Sequence, residues 1–202
     1  TATSTATVAA APSSSSPASC ENDTADMVEK IRTVMPRCDD RCNITQDIAR
    51  RDCRNAEEAA PYIVKSLCGF EPGEKAAALA HIGYESRQLY YKNLSGGNKT
   101  LGTAGGLSWP TQRTFAAYLF GKEAVDHLAD DEIRRILNED QYNFATPAWL
   151  QLKFCDPSIL GVLNTGTDKA YLTYWNHCAW YNVPRNESRW EYWQRAKEVF
   201  HL

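Results

Sequence analysis

The stretch from His81 to Gln112 reads HIGYESRQLYYKNLSGGNKTLGTAGGLSWPTQ, and its single carboxylate is Glu85. No further Asp or Glu follows until Glu123, although the chain contains 25 acidic residues. The carboxylate lies among apolar and aromatic residues and is followed by a Gly-rich segment. Its isolation raises the question of whether Glu85 is a functional group or a solvated side chain near a helix end.

The residues around Glu85 predict a long helix. Pro72 precedes an Ala-rich run, which predicts a helix from Glu74 to about Tyr91. Residues three and four positions from Glu85, including Ile82 and Leu89, share its face of this helix, so the carboxyl group projects from partly apolar surroundings. Such surroundings raise the pKa of a carboxyl group, which is the property that a general acid needs.

Glycines mark two further features of this region. Gly83 lowers the helix propensity by about 1 kcal/mol, which indicates that another element approaches the helix closely there. Residues 93–109 combine glycines with Asn and Thr, which is typical of loops with a small hairpin.

The remaining sequence predicts a mostly α fold in one compact domain. Hydrophobic residues make up 43% of the 202 residues, which suits one globular domain. Strands longer than four residues are hard to find. The other predicted helices are one that contains Met27, Ile31 and Met35 and closes at Pro36, then Thr45 to Arg51, Ala56 to Leu67, and about 111–121, 123–138, 146–154, 168–181 and 189–200.

The first 19 residues differ from the rest of the chain. Residues 1–19 carry no charge and have only Val8 as a large apolar side chain, so they cannot bury enough surface to offset the entropy of ordering. We expect a flexible, Ser/Thr/Ala/Pro-rich linker there, and the folded domain at residues 20–202. The chain shows no leader at its start, so the numbering is expected to begin after processing.

Composition excludes several classes of partner. The net charge of −3 gives no electrostatic reason to bind nucleic acid. No run approaches the roughly 18–20 apolar residues that span a bilayer. We expect a monomer with no nucleic-acid or membrane partner.

Cysteines and glycosylation motifs indicate the compartment. Seven cysteines in a chain of this size favour disulfides, with Cys155 and Cys178 flanking one segment and expected to pair, and with one cysteine left over. Zinc at Cys38-x3-Cys42 is the alternative, but no second close pair follows, so we expect no metal and no cofactor. Together with the sequons, the cysteines predict a secreted eukaryotic glycoprotein. The five sequons begin at Asn22, Asn43, Asn93, Asn98 and Asn186.

The block Ile82-Gly-Tyr-Glu-Ser86, followed by Gly102-Thr-Ala-Gly-Gly106 and then Gln112, resembles the core motif of the lysozyme superfamily, closest to goose-type lysozymes and lytic transglycosylases. In that family a Glu-Ser pair at a helix end precedes a Gly-rich segment of the Gly-Leu-x-Gln type. Here four residues separate Leu107 from Gln112. The block also resembles a group of fungal secreted proteins with Tyr-Glu-Ser, an Asn/Gly-rich loop and a Gln.

The resemblance implies a secreted muramidase on a lysozyme-like helical domain. Glu85 would be the acid that protonates the glycosidic oxygen of a β-1,4-linked amino-sugar polymer, with peptidoglycan preferred and a chitin-type polymer open. Substrate-binding candidates are Tyr84, Trp109, Gln112 and Tyr181, because sugar faces stack on aromatic rings. Arg87, Lys92, Lys99 and Arg113 would supply positive potential that suits peptidoglycan carboxylates.

Glycoside cleavage usually needs a second carboxylate, and this chain has none on the segment after the predicted catalytic helix. Glu139 and Asp140 are the candidates for a distant base, and a solvated turn is their alternative role. Attack by the acetamido group of the substrate, or internal transglycosylation, would need Glu85 alone. His81 could bond to Glu85, but a structural role is expected. A non-catalytic secreted effector or glycan-binding protein on the same scaffold is the rival to the enzyme hypothesis.

Overall fold

A computed structural model describes residue 20 and residues 23–41, 52–92, 101–179 and 187–202. The predicted linker at residues 1–19, the predicted helix from Thr45 to Arg51, and all five sequon asparagines (Asn22, Asn43, Asn93, Asn98 and Asn186) lie outside these ranges.

The described residues are mostly helical, which confirms the predicted fold class. Two strands of two residues, β1 (Leu101–Gly102) and β2 (Leu107–Ser108), form a small antiparallel hairpin. The helices are α1 (Thr24–Val34), α2 (Cys38–Arg41), α3 (Ala56–Ser66), α4 (Pro72–Glu85), α5 (Trp109–Phe120), α6 (Lys122–Asp126), α7 (Asp130–Leu137), α8 (Asp140–Asn143), α9 (Thr146–Phe154), α10 (Pro157–Leu163), α11 (Asp168–Tyr174), a π-helical turn (Trp175–Ala179) and α12 (Glu187–Val199).

Helix α4 begins where the sequence predicts and ends earlier. Pro72 occupies its first turn, where a missing N–H is not needed, and Glu74 accepts a hydrogen bond from the N–H of Glu71. The helix ends at Glu85 rather than near Tyr91, because the chain then turns into a left-handed conformation.

The left-handed turn after α4 consists of three residues that are not glycine. Arg87, Gln88 and Leu89 have φ of 51°, 64° and 62°. The hydroxyl of Ser86 accepts a hydrogen bond from the N–H of Leu89 at 2.8 Å and donates one to the carbonyl of Ile82 at 2.6 Å. A left-handed L-residue costs about 1–2 kcal/mol, so these bonds hold a strained backbone directly after Glu85.

Other boundaries also differ from the prediction. The predicted helix at 123–138 is divided into α6 and α7, and the one at 168–181 gives way after Tyr174 to the π-helical turn. Helices α2, α8 and α10 were not predicted, because runs of four to seven residues carry little periodicity.

Two apolar clusters form the core. The larger one joins α1, α3, α4, α11 and α12, and it includes Ile31, Ile63, Leu79 and Trp193. The smaller one lies between β2, α5, α7 and α9, and it includes Phe115 and Trp149. Helix α4 packs against α1, α9, α10 and α12, so its Ala-rich surface is buried on several sides and Glu85 at its end is fixed in place.

Disulfides staple the described part of the chain. Cys20 pairs with Cys68, and Cys155 pairs with Cys178 as predicted. Cys53 is disulfide-bonded as well, whereas Cys38 is a free thiol buried in the core. Burial raises the pKa of Cys38 to about 12, so this cysteine is an inert core residue.

Gly83 lies where α12 crosses α4, as the sequence predicted. A Cβ at this position would lie 2.7 Å from Cδ1 of Tyr192 and 3.1 Å from Cγ of Met35. Because an aromatic ring cannot bend away, only glycine permits this close contact between the two helices.

We expect Gly83→Ala to lower the free energy of unfolding by roughly 1–2 kcal/mol, since overpacking outweighs the gain in helix propensity. Gly161→Ala in α10 is the matched control: nothing lies within 4 Å of its added Cβ, so it should stabilise by up to about 1 kcal/mol. Denaturant unfolding measures both, and a stabilising Gly83→Ala would contradict the close packing.

Arg87→Gly should raise the free energy of unfolding by roughly 0.5–1 kcal/mol, because glycine adopts φ of 51° without the steric cost. Arg87→Ala keeps the Cβ and loses the same guanidinium contact with the Tyr91 ring, so it should not stabilise. Equal effects of the two substitutions on thermal unfolding would show that the turn carries no strain at this residue.

Candidate active site

Glu85 ends helix α4 with its carboxyl group against a buried glycine. Gly106 has φ of +63°, and a Cβ there would lie 2.4 Å from Oε2 of Glu85. Only 11% of the Glu85 side chain is exposed. Glu85 is therefore not a solvated glutamate, and the Gly-rich segment that follows it in sequence packs directly on its carboxyl group.

The turn that carries Gly106 is itself buried, and its polar backbone groups are bonded from two sides. The ring of His81 donates from Nε2 to the carbonyl of Gly105 at 3.1 Å. The N–H of Ala104 donates to Oδ1 of Asn143 at 2.9 Å. Because these bonds join the turn Thr103–Gly106 to α4 and α8, Gly106 is held at a fixed distance from Glu85.

His81 is a structural residue, as expected from the sequence. The carbonyl of Gly105 can only accept, so Nε2 carries the proton and Nδ1 accepts from the Tyr174 hydroxyl at 3.0 Å. Burial lowers the pKa of His81 to about 3. His81 is therefore a neutral brace between the turn and α11, and its two ring nitrogens are engaged away from Glu85.

A cation from the other end of the chain faces Glu85. Nη2 of Arg189, on α12, lies 3.8 Å from Oε1 of Glu85, which is longer than a hydrogen bond. Its guanidinium carbon lies 4.0 Å from the Trp175 ring centroid and 4.3 Å from that of Tyr84. The sequence does not indicate that Arg189 lies near Glu85. Arg189 is one of 22 basic residues, and no local pattern links it to a carboxylate about a hundred residues earlier.

Burial and the Arg189 charge act on Glu85 in opposite directions. Burial raises the pKa of Glu85 to about 7 from its ordinary 4.5, and the guanidinium of Arg189 opposes this rise. Burial prevails because Glu85 accepts no hydrogen bond from any described residue. The carboxyl group therefore holds a proton up to near-neutral pH.

Of the predicted substrate-binding residues that the structure describes, Tyr84 adjoins the Glu85 site, through Arg189. Gln112 is fully buried and donates from Nε2 to the carbonyl of Leu107 at 2.9 Å, so it braces the hairpin and offers no surface for a sugar. Trp109 packs on the smaller core cluster with two guanidinium groups near its ring. Tyr181 lies outside the described residues.

The candidate second carboxylates are engaged in other contacts. Oδ2 of Asp140 accepts from Nε of Arg54 at 2.9 Å, and Oδ1 lies 2.5 Å from Nζ of Lys92. Lys92 is only 3% exposed, so Asp140 neutralises a buried ammonium group. Glu139 is exposed and accepts from Gln141. The prediction of a distant base at Asp140 does not fit this ion-paired arrangement.

The predicted basic rim is also differently arranged. Arg113 donates to the carbonyls of Val125 and Leu128, where it stabilises the end of α6. Lys92 is buried with Asp140, and Arg87 lies over the Tyr91 ring. Lys99 lies outside the described residues. Within the described ranges, the cation that faces Glu85 is Arg189.

Within the described ranges, no group of three or more His, Cys, Asp or Glu side chains is placed to hold a metal ion. None of the helices described there has the length and apolar character needed to cross a bilayer.

Comparison with protein-family models, with curated proteins and with solved structures finds no match to this chain.

Burial of the Glu85 carboxyl group makes the free energy of unfolding depend on pH. A raised pKa in the folded state contributes stability that is present below pH 4.5 and is lost as the pH rises through about 7. Glu85→Gln, which cannot ionise, should exceed the wild type in free energy of unfolding at pH 8 by roughly 3–4 kcal/mol, at about 1.4 kcal/mol per pKa unit. The difference should shrink toward pH 4.

Denaturant unfolding of both proteins between pH 4 and pH 8 measures this difference, and other titrating groups cancel in the comparison. Glu139→Gln is the matched control, because Glu139 is exposed and its substitution should change stability little at any pH. A constant difference between Glu85→Gln and wild type across this pH range would show that Glu85 titrates normally.

Proposed function

We propose that this protein is a glycosidase in which Glu85 is the general acid, and that its substrate is a β-1,4-linked amino-sugar polymer, with bacterial peptidoglycan the first choice and a chitin-type polymer the second. The observation that carries the proposal is the Glu85 carboxyl group, 11% exposed, packed on the Gly106 backbone, with its pKa raised to about 7 by burial. A protonated carboxyl group with a small exposed face is the arrangement that general-acid catalysis requires.

The chemistry would begin with transfer of the Glu85 proton to the glycosidic oxygen. As that O–H bond forms, the bond from the anomeric carbon to the same oxygen breaks, and its electron pair leaves with the oxygen. Positive charge then develops on the sugar ring. Because Asp140 is committed to Arg54 and Lys92, the proposal favours routes that need no second protein carboxylate near the ring.

Two such routes are compatible with a single acid. In one, the acetamido oxygen of the substrate attacks the anomeric carbon, and water later opens the resulting ring. In the other, a hydroxyl group of the same sugar attacks, which gives an anhydro product without water. In the first route the incoming water loses a proton to Glu85, and in the second the attacking sugar hydroxyl group does so, which restores the carboxyl form of Glu85 in both.

Secretion belongs to the same proposal. Disulfides at Cys20–Cys68 and Cys155–Cys178 favour an oxidising compartment. The five sequons in the sequence agree with an extracellular glycoprotein. Peptidoglycan outside the cell would be accessible to such a protein.

A non-catalytic secreted effector or glycan-binding protein is the second candidate, and one observation favours it. Two residues expected to line a saccharide groove, Trp109 and Gln112, are instead held by internal contacts. A protein that keeps Glu85 but has no sugar-binding subsites beside it would bind its partner or signal without cleaving a glycan.

Glu85→Gln separates the two candidates. It preserves the side-chain shape and removes the proton donor, so release of soluble muropeptides from purified peptidoglycan should fall by about 10²–10⁴-fold. Glu123→Gln should leave the rate unchanged, because Glu123 is an exposed residue of α6 and is not a candidate base.

Undiminished release by Glu85→Gln would overturn the catalytic role of Glu85. No release by the wild type from peptidoglycan or chitin, together with retained binding to either polymer, would favour the non-catalytic candidate. Mass spectrometry of the products distinguishes the two routes, since anhydro ends are 18 Da lighter than hydrolysed ends, by the mass of one water.

A further inference from the structure

Arg189 is the charged group that the described structure places at Glu85, and its guanidinium group contacts two aromatic rings. The guanidinium carbon lies 4.0 Å from the ring centroid of Trp175 and 4.3 Å from that of Tyr84, and these two rings meet edge to face at an interplanar angle of 77°. Two such contacts orient the planar guanidinium of an arginine more tightly than the ammonium group of a lysine. The charge is therefore presented to Glu85 at a defined distance.

The guanidinium is close to Glu85 without being bonded to it. Nη2 of Arg189 and Oε1 of Glu85 are 3.8 Å apart, and each side chain is 11% exposed. At this distance the attraction is small while Glu85 is protonated and neutral. It becomes substantial once Glu85 carries a negative charge in partly buried surroundings.

We propose that Arg189, held against the rings of Tyr84 and Trp175, is a positioning residue that stabilises the Glu85 carboxylate formed when the general acid gives up its proton. The inference rests on the proposed function for its catalytic meaning. An interaction that strengthens only as charge develops lowers the barrier without tightening substrate binding.

The other titratable groups that face Glu85 cannot take this role. His81, on the same helix, is buried and neutral, and both of its ring nitrogens are engaged with Tyr174 and Gly105. Tyr171 and Tyr174, on α11, are fully buried, and burial raises the pKa of both hydroxyl groups, so they remain neutral. The turn Thr103–Gly106 carries no ionisable side chain.

The experiment replaces Arg189 and follows Glu85 directly. In Arg189→Gln, NMR titration of glutamate side-chain ¹³C carboxyl groups should show the Glu85 pKa raised by at least one pH unit relative to the wild type. Glu85→Gln identifies the Glu85 resonance by its disappearance. The alkaline limb of the pH–rate profile on peptidoglycan should move upward with it, and kcat should fall about tenfold with KM nearly unchanged.

Arg195 provides the matched control on the same helix. Its guanidinium lies 5.0 Å from the Tyr192 ring, and its Nε donates to the carbonyl of Val34 at 2.9 Å. Arg195→Gln removes an equivalent stacked arginine and should leave the Glu85 titration where it is. Arg189→Lys serves if Arg189→Gln does not fold: it keeps the charge but not the stacking, and should give a smaller rise in the Glu85 pKa.

The outcomes separate this inference from the proposed function. An unchanged Glu85 titration in Arg189→Gln, or the same change in Arg195→Gln, overturns the role of Arg189. A raised Glu85 pKa in a protein that cleaves neither polymer overturns the proposed glycosidase and leaves the electrostatic coupling of Arg189 to Glu85 established. A raised pKa with the same kcat as wild type overturns the catalytic part of the inference.

Discussion

The arrangement around Glu85 depends on a buried backbone turn. Residues Thr103–Gly106 are buried, so the fold must supply hydrogen-bond partners for their peptide groups. The ring of His81 and the amide of Asn143 provide them, from α4 and from α8. Without these two bonds the turn would not remain buried, and Gly106 would not lie against the carboxyl group of Glu85.

Helix α12 reaches the site because glycine occupies the crossing point on α4. Tyr192 packs where any side chain at Gly83 would stand, and it fixes how closely the two helices approach. Arg189 precedes Tyr192 by three residues and so shares its face of α12. The contact that buries Tyr192 therefore also sets the distance from Arg189 to Glu85. The close packing of α12 on α4 and the effect of Arg189 on Glu85 therefore both depend on the glycine at position 83.

The sequence predicts local features, such as where helices begin, and does not predict contacts between residues that are far apart in the chain. Proline and acidic residues near the start of α4, and the apolar period of α1, place these helices correctly, and Gly83 correctly indicates a close crossing. The sequence does not indicate where α4 ends. The left-handed turn that follows consists of Arg87, Gln88 and Leu89, and it contains no glycine or asparagine, the residues that usually mark such a turn. The contact with Arg189 was missed because tertiary packing alone creates it.

The site gains its character from two opposing effects on one carboxyl group. Burial on the backbone of Gly106 favours the neutral form of Glu85, and the nearby guanidinium of Arg189 favours the charged form. Burial alone would hold the proton so firmly that transfer would leave an unsupported charge in a poorly solvated place. A directly hydrogen-bonded arginine would keep Glu85 ionised and unable to donate. A separation of 3.8 Å lies between these limits, since it leaves the proton in place near neutral pH and still supports the charge that its departure creates.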